Sequence, residues 1–159
     1  MNESQSVLEE IRQREEWDNC MEIKFPAVSK NEKLARNLVG AMLLELNPRV
    51  EELSDIKTAV SEAVTNSVVH GYLYQGGESK ITVKIFNRLV YIKIEDWGVG
   101  IKDIKKAREP FFTTGNSAER SGMGFTVMES FMDELEVANQ PNMTGVVVEM
   151  VKELAHEGI

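Results

Sequence analysis

The sequence predicts one α/β (α+β) two-layer sandwich, a mixed and mostly antiparallel sheet with its helices on one face. Three observations carry that expectation. Residues 81–86 and 90–95 alternate apolar and polar with period two, and only Asn87-Arg88 and their flanks separate them, so they form an antiparallel hairpin. Two helical runs precede that hairpin and a third follows it, giving the order β-α-α-β-β-loop-α-β-β, which suits helices gathered on one side of an antiparallel sheet. With 159 residues and 42% hydrophobic content, the chain can bury one core and is too short for two well-packed ones.

Residues 1–20 are rich in charge, with Val7, Leu8, Ile11 and Trp17 as their sizeable apolar side chains. They read as a short amphipathic helix or a frayed tail. Because the pattern changes at Met21, the expectation is an extension or appended segment over 1–20 and one domain over 21–155. Residues 21–27 alternate as a half-buried strand does, and Pro26 marks an edge or an end. Ser29 with Glu32 has capping-box spacing, and Leu34, Leu38, Met42 and Leu46 then recur on one expected inward face until Asn47-Pro48 stops the helix. A second helix is expected over 51–70, with Leu53, Ile56, Val60, Ala63, Val64 and Val68 inward and Gly71 as C-cap. After the hairpin, 101–108 is a short helix ending before Pro110, and 111–122 is a polar, glycine-containing stretch of the kind that is either a functional lid or disordered. A helix over 123–135 and strands over 135–139 and 146–151 complete the order.

Composition narrows the function. The 18 Lys+Arg against 26 Asp+Glu leave a net charge of −8, which disfavours nucleic acid and anionic membranes and suits a basic surface on a protein partner. Cys20 is the sole cysteine, so no intrachain disulfide and no Cys-based zinc site can form within one chain, and a reducing cytoplasm is the expected setting. No apolar run approaches the roughly 18 residues that span a bilayer.

On the second helix, Glu62, Asn66 and His70 fall on one stripe by the i, i+4 rule. A solvated face would explain the stripe alone. Asn is a mediocre helix former, however, and its side-chain carbonyl is a good ligand for a hard cation. The strand over 90–95 runs into Asp96-Trp97-Gly98-Val99-Gly100. There an ionised carboxylate can accept from an exocyclic amine, and the two glycines let backbone approach a flat ligand. A plain turn is the alternative. Ser121-Gly122-Met123-Gly124-Phe125 opens a helix whose free N–H groups can hold phosphate. Neither a Walker A loop nor a G-x-G-x-x-G fingerprint occurs.

Taken in order, the E-x-x-x-N helix, D-x-G-x-G strand end, threonine-containing lid and G-x-G helix start resemble the GHKL (Bergerat) ATPase superfamily. Within it, SEAVTNSVVHG (61–71), PFFTT (110–114) and ERSGMGFTVMESF (119–131) are similar to the bacterial anti-sigma F factors of sporulation, and the resemblance covers about 21–154. It implies a homodimeric protein-serine kinase that uses Mg2+ and ATP, with ADP as product, binds a sigma factor and phosphorylates a STAS-type anti-anti-sigma protein. It implies Glu62 as general base and Asn66 as magnesium ligand. Asp96 is then the adenine-amine acceptor, flanked by Gly98 and Gly100, and Gly122, Met123 and Gly124 wrap the phosphates. Thr114 belongs to the nucleotide lid, Arg120 to the γ-phosphate, and Arg36 to partner docking. His70 reads as a helix-end group. One departure stands out: the resemblance implies G-T-T at the start of the last strand, whereas this chain has Met143-Thr144-Gly145-Val146-Val147. Either Thr144 takes the place of the adenine-holding threonine or the adenine is bound without one. Other readings of the same motifs are a general-stress anti-sigma kinase, a histidine-kinase catalytic domain, which would want a dimerisation helix with a phosphoacceptor histidine, and an ATP-dependent sigma binder without catalysis.

Overall fold

The computed structural model describes residues 5–110, 124–142 and 144–155. Within them α1 (Val7–Arg12), β1 (Asn19–Pro26), α2 (Asn31–Leu43), α3 (Val50–Asn66), β2 (Glu78–Phe86), β3 (Leu89–Asp96), α4 (Ile104–Ala107), α5 (Gly124–Phe131), β4 (Glu134–Asn139) and β5 (Val146–Glu153) follow in that order. The sheet runs β1-β2-β3-β5-β4, and each of its pairings is antiparallel. The last strand of the chain therefore lies inside the sheet, and β1 forms one edge. Asn87, between β2 and β3, takes a left-handed φ of 52°, the conformation a two-residue hairpin turn demands.

Alternation sorts each strand into two faces. Ile81, Val83, Ile85, Val90, Ile92, Ile94, Val148 and Met150 point to one side, where α2, α3 and α5 cover them in a single core. The expected two-layer sandwich is what forms. Its opposite face is not bare, because α1 lies across it. Leu8 and Ile11 are buried there with Tyr91 and Val151. Glu134 accepts from the N–H groups of Val7 and Leu8, both at 2.9 Å, and so satisfies the start of a helix too short to stand alone. Arg12 reaches Glu136 and Glu149, each at 2.8 Å. Residues 1–20, expected to lie outside the domain, thus include a helix docked on it, and β1 begins at Asn19.

Three local expectations differ from the structure. The helical period over α2 is right and its phase is only partly so: Ala35, Val39 and Leu43 are buried, and of the expected inward residues Leu34 and Leu38 are exposed while Met42 and Leu46 pack against the core half-buried. Small residues face α3 because they let two helix backbones come close. The Ser29–Glu32 capping box does not form. Glu32 turns instead to Arg36, at 3.6 Å, and accepts a hydrogen bond from the hydroxyl of Ser61, tying α2 to α3. The second helix also ends its α geometry at Asn66, and residues Ser67–Gly71 form a π turn in which the Tyr72 N–H reaches back to the Ser67 carbonyl at 2.8 Å. Among the described residues no helix is long and apolar enough to cross a membrane.

Candidate functional site

The β3 strand delivers Asp96 to a position 4% exposed, a costly place for a carboxylate. The backbone N–H groups of Gly98, at 3.0 Å, and Val146, at 3.2 Å, donate to one of its oxygens, and the Ser67 hydroxyl donates to the group as well. Burial nevertheless pushes the Asp96 carboxyl above its ordinary value, and those hydrogen bonds offset the effect only in part. The group is desolvated and fixed in direction, with acceptor capacity to spare.

Glycines make the room. A Cβ on Gly71 would lie 3.0 Å from an Asp96 carboxylate oxygen, and one on Gly98 would fall 2.0 Å from the Gly71 carbonyl oxygen. One on Gly145, where φ is 117°, would meet the Asp96 carbonyl oxygen at 2.1 Å. The π turn is what brings Gly71 this close, and the Val99 N–H then bonds to the Gly71 carbonyl at 2.9 Å. Single π turns inside α-helices often mark functional sites. From the other side, Asn139 clasps Ile101 by accepting its N–H and donating to its carbonyl, both at 2.8 Å. Buried Gln140 donates to the Asp96 carbonyl at 3.3 Å and to Glu95 at 3.2 Å.

These elements enclose a cavity of about 590 Å³, within the range of sites that take a drug-sized or cofactor-sized molecule. Asn66, Asp96 and Gly100 line it, with Ile94, Val148 and Phe125 as part of its apolar wall. The amide nitrogen of Asn66 is buried without a hydrogen-bond partner, an orphaned polar end beside the cavity. Gly98 packs closely against Gly71, and Gly124 is buried at the first turn of α5. His70 sits in the π turn and lines the cavity.

Glu62 lies one turn before Asn66 on α3, partly buried, and is not part of the cavity lining. Arg36 is on α2, its side chain 39% exposed and paired with Glu32. Thr114, Arg120, Gly122 and Met123 lie outside the described residues. Thr144 is exposed with its hydroxyl on Asn142 at 2.9 Å, and Val146 occupies the cavity wall. Sequence reasoning read Gly71 only as a cap and Glu32 only as half of a capping box, and did not assign Ser67, Asn139, Gln140 or Gly145. The glycine in Thr144-Gly145-Val146 was a visible signal, but its meaning depends on β5 lying beside β3.

A model of the histidine kinase-like ATPase domain matches residues 25–152. An anti-sigma F factor of Bacillus licheniformis is 48% identical over 138 residues, covering 86% of this chain and 94% of that one. Those of Thermoanaerobacter sp. (strain X514) and Bacillus subtilis (strain 168) are 50% and 45% identical, with 86% of this chain and 95% and 94% of theirs covered. Among solved structures, the RsbU and RsbW domains of a Mycobacterium tuberculosis protein superpose with a TM-score of 0.60 at 15% identity, over 88% of this chain and 33% of that one. The catalytic domain of the histidine kinase ThkA superposes with a TM-score of 0.53 at 17% identity, over 84% and 96%. These two likenesses speak to the fold.

Proposed function

Since this chain belongs to the anti-sigma F factor family of histidine kinase-like ATPase domains, we propose that it holds a sigma F-like factor away from transcription and phosphorylates a STAS-domain anti-anti-sigma protein on serine, drawing on Mg2+ and ATP. The observation that carries this reading is the buried, glycine-crowded Asp96 in the wall of a cofactor-sized cavity. A carboxylate held there by backbone N–H groups and a hydroxyl, all neutral donors, is suited to accept from the amine of a purine. Asn66, with an unsatisfied amide end, is suited to a phosphate-bound cation, its oxygen and nitrogen being interchangeable by rotation about the last side-chain bond. Magnesium bound there would neutralise phosphate charge and orient the terminal phosphoryl group. Among the described residues no three His, Cys, Asp or Glu gather, so such an ion would draw most of its ligands from phosphate and water.

In this reading Gly98 and Gly100 bring backbone against the base, and Gly124 gives phosphate access to the start of α5. Glu62 accepts the proton of the incoming serine hydroxyl. Thr114, Gly122 and Met123 close over the nucleotide, and Arg120 meets the terminal phosphate. Arg36 docks the protein partners from α2. The cytoplasm is the compartment where such partners meet. Incubation with labelled ATP, magnesium and a purified STAS-domain antagonist tests the proposal: label on the antagonist's serine supports it, whereas sigma binding with no transfer leaves an ATP-dependent binder.

Two expected results follow for this site and its surface. Asp96→Asn weakens ATP binding by about 1.5–3 kcal/mol, roughly ten- to a hundredfold, because one acceptor becomes a donor facing the adenine amine. A carboxyl whose folded pKa is raised loses stability for the fold as pH rises through that value, so at neutral pH the ionised group is a burden that Asn removes. The nucleotide-free variant should therefore be at least as stable as the parent. Calorimetry beside urea unfolding checks both, and unchanged ATP affinity would take Asp96 out of the site.

The second result concerns assembly. β1 is an edge strand, and α2 exposes Leu34 at 47% and Leu38 at 38%, two features suited to a second copy of the chain. Leu38→Asp should turn a dimer into a monomer at micromolar concentration in sedimentation while leaving ATP binding intact. An unchanged dimer would move the interface elsewhere.

A further inference from the structure

A second cavity, of about 340 Å³, lies on the opposite face of the sheet, between α1 and the strands it crosses. Its charged lining is Arg12, Lys84, Lys93 and Glu149. The one carboxylate is already engaged. Glu149 accepts from Arg12 at 2.8 Å and from the Tyr91 hydroxyl at 2.6 Å, and Arg12 also pairs with Glu136. Lys84 is not balanced in the same way. Lys93 has Glu95 at 3.4 Å and Glu149 directly opposite it on β5, while the Lys84 ammonium lies over the Trp17 ring, 5.3 Å from its centre.

Register fixes how close the two lysines are. Lys84 pairs with Tyr91, and Lys93 pairs with Thr82, so the lysines are diagonal neighbours on one face. Such neighbours have Cα atoms roughly 7–8 Å apart, within reach of long side chains, and two like charges at that spacing repel. A further cation adds to the field, since the Arg14 guanidinium lies 3.1 Å from the centre of the Phe86 ring and 5.9 Å from that of Trp17, its Nε buried without a partner. In a chain of net charge −8 this cleft is lined by three cations and one carboxylate, beside low-dielectric aromatic walls that strengthen the field of the one lining cation without a carboxylate partner, Lys84.

We propose that this outer-face cleft is a small-anion site, taking a phosphate-sized dianion between Lys84 and Lys93 with Trp17 and α1 as its wall. An anion there relieves the lysine repulsion and is held by charge-assisted hydrogen bonds. The site is separate from the nucleotide cavity, and it depends on a segment that precedes the matched family region at residue 25.

The chain has two tryptophans, so a Trp97→Phe background leaves Trp17 as the sole indole reporter. Sodium phosphate is titrated into this protein at neutral pH against sodium chloride at equal ionic strength. The expected result is a saturable change in Trp17 emission with phosphate and none with chloride. Lys84→Gln and Lys93→Gln should each weaken it roughly tenfold, the value of one charge-assisted hydrogen bond, and Lys84→Arg should keep it. A response that is absent, that grows linearly without saturation, or that keeps the parent's affinity in both Gln variants overturns the proposal. Because the titration involves neither ATP nor any protein partner, its outcome is independent of the kinase reading.

Discussion

If Glu62 is the base proposed above, Glu62→Gln should lower phosphoryl transfer to the antagonist serine by roughly 10²–10⁴, the usual contribution of a positioned base, while ATP and sigma binding persist. Gln keeps the size of the side chain and loses its basicity. Among the described residues the cavity wall takes in Asn66 and not Glu62 one turn earlier, so the substitution should leave that wall in place. The neighbouring residue, Ser61, is bound to Glu32, and Glu32 to Arg36, which ties α2 to α3. Single-turnover phosphorylation and a sigma pull-down on the same variant decide the matter. Transfer at the parent rate would show that Glu62 is not the base. Loss of ATP and sigma binding along with transfer would make it a structural residue.

A pair of glycine substitutions gives the second large effect. Gly98→Ala places a methyl group 2.0 Å from the Gly71 carbonyl oxygen and 2.4 Å from its carbon, and backbone cannot step aside as a side chain can. The turn after β3 must separate from the π turn, losing the Val99–Gly71 hydrogen bond. Overpacking together with that bond should lower stability by about 2–4 kcal/mol and abolish ATP binding. Gly40→Ala is the contrast. Its added methyl meets the Lys57 side chain at 3.1 Å, a flexible neighbour, in the interior of α2, where Ala is a better helix former by about 1 kcal/mol. That variant should be more stable than the parent. Urea unfolding of both checks the pair, and equal destabilisation would mean that the crowding around Asp96 is not what Gly98 serves.

Much of this was legible in the sequence because it depends on local order. The hairpin strands, the carboxylate at the end of β3 and the asparagine inside α3 are set by alternation, turn chemistry and helical spacing. The phase of α2 was not, because two adjacent stripes, Leu34-Leu38-Met42 and Ala35-Val39-Leu43, are both apolar. Size favours the first, and only the close passage of α3 selects the second. The π turn has no spacing signature either. Its reason is the meeting of Gly71 with Asp96, residues from separate elements. The docking of α1 rests on Glu134, Glu136 and Glu149, far along the chain, which no reading of 1–20 alone could supply.

The place of β5 between β3 and β4 has a consequence for how the protein comes into being. A ribosome adds about 5–20 residues each second, so for roughly 3–10 seconds after β3 is made the nascent chain still lacks β5, the second of its two partner strands. Throughout that interval β3 shows an unpaired edge, β4 emerges with no strand to join, and the N–H of Val146 that helps to hold Asp96 has not yet been made. Closure of the sheet and completion of the cavity are therefore one late event. Until residues 146–153 are in place, a polypeptide that already carries most of its recognition residues can complete neither the sheet nor the site.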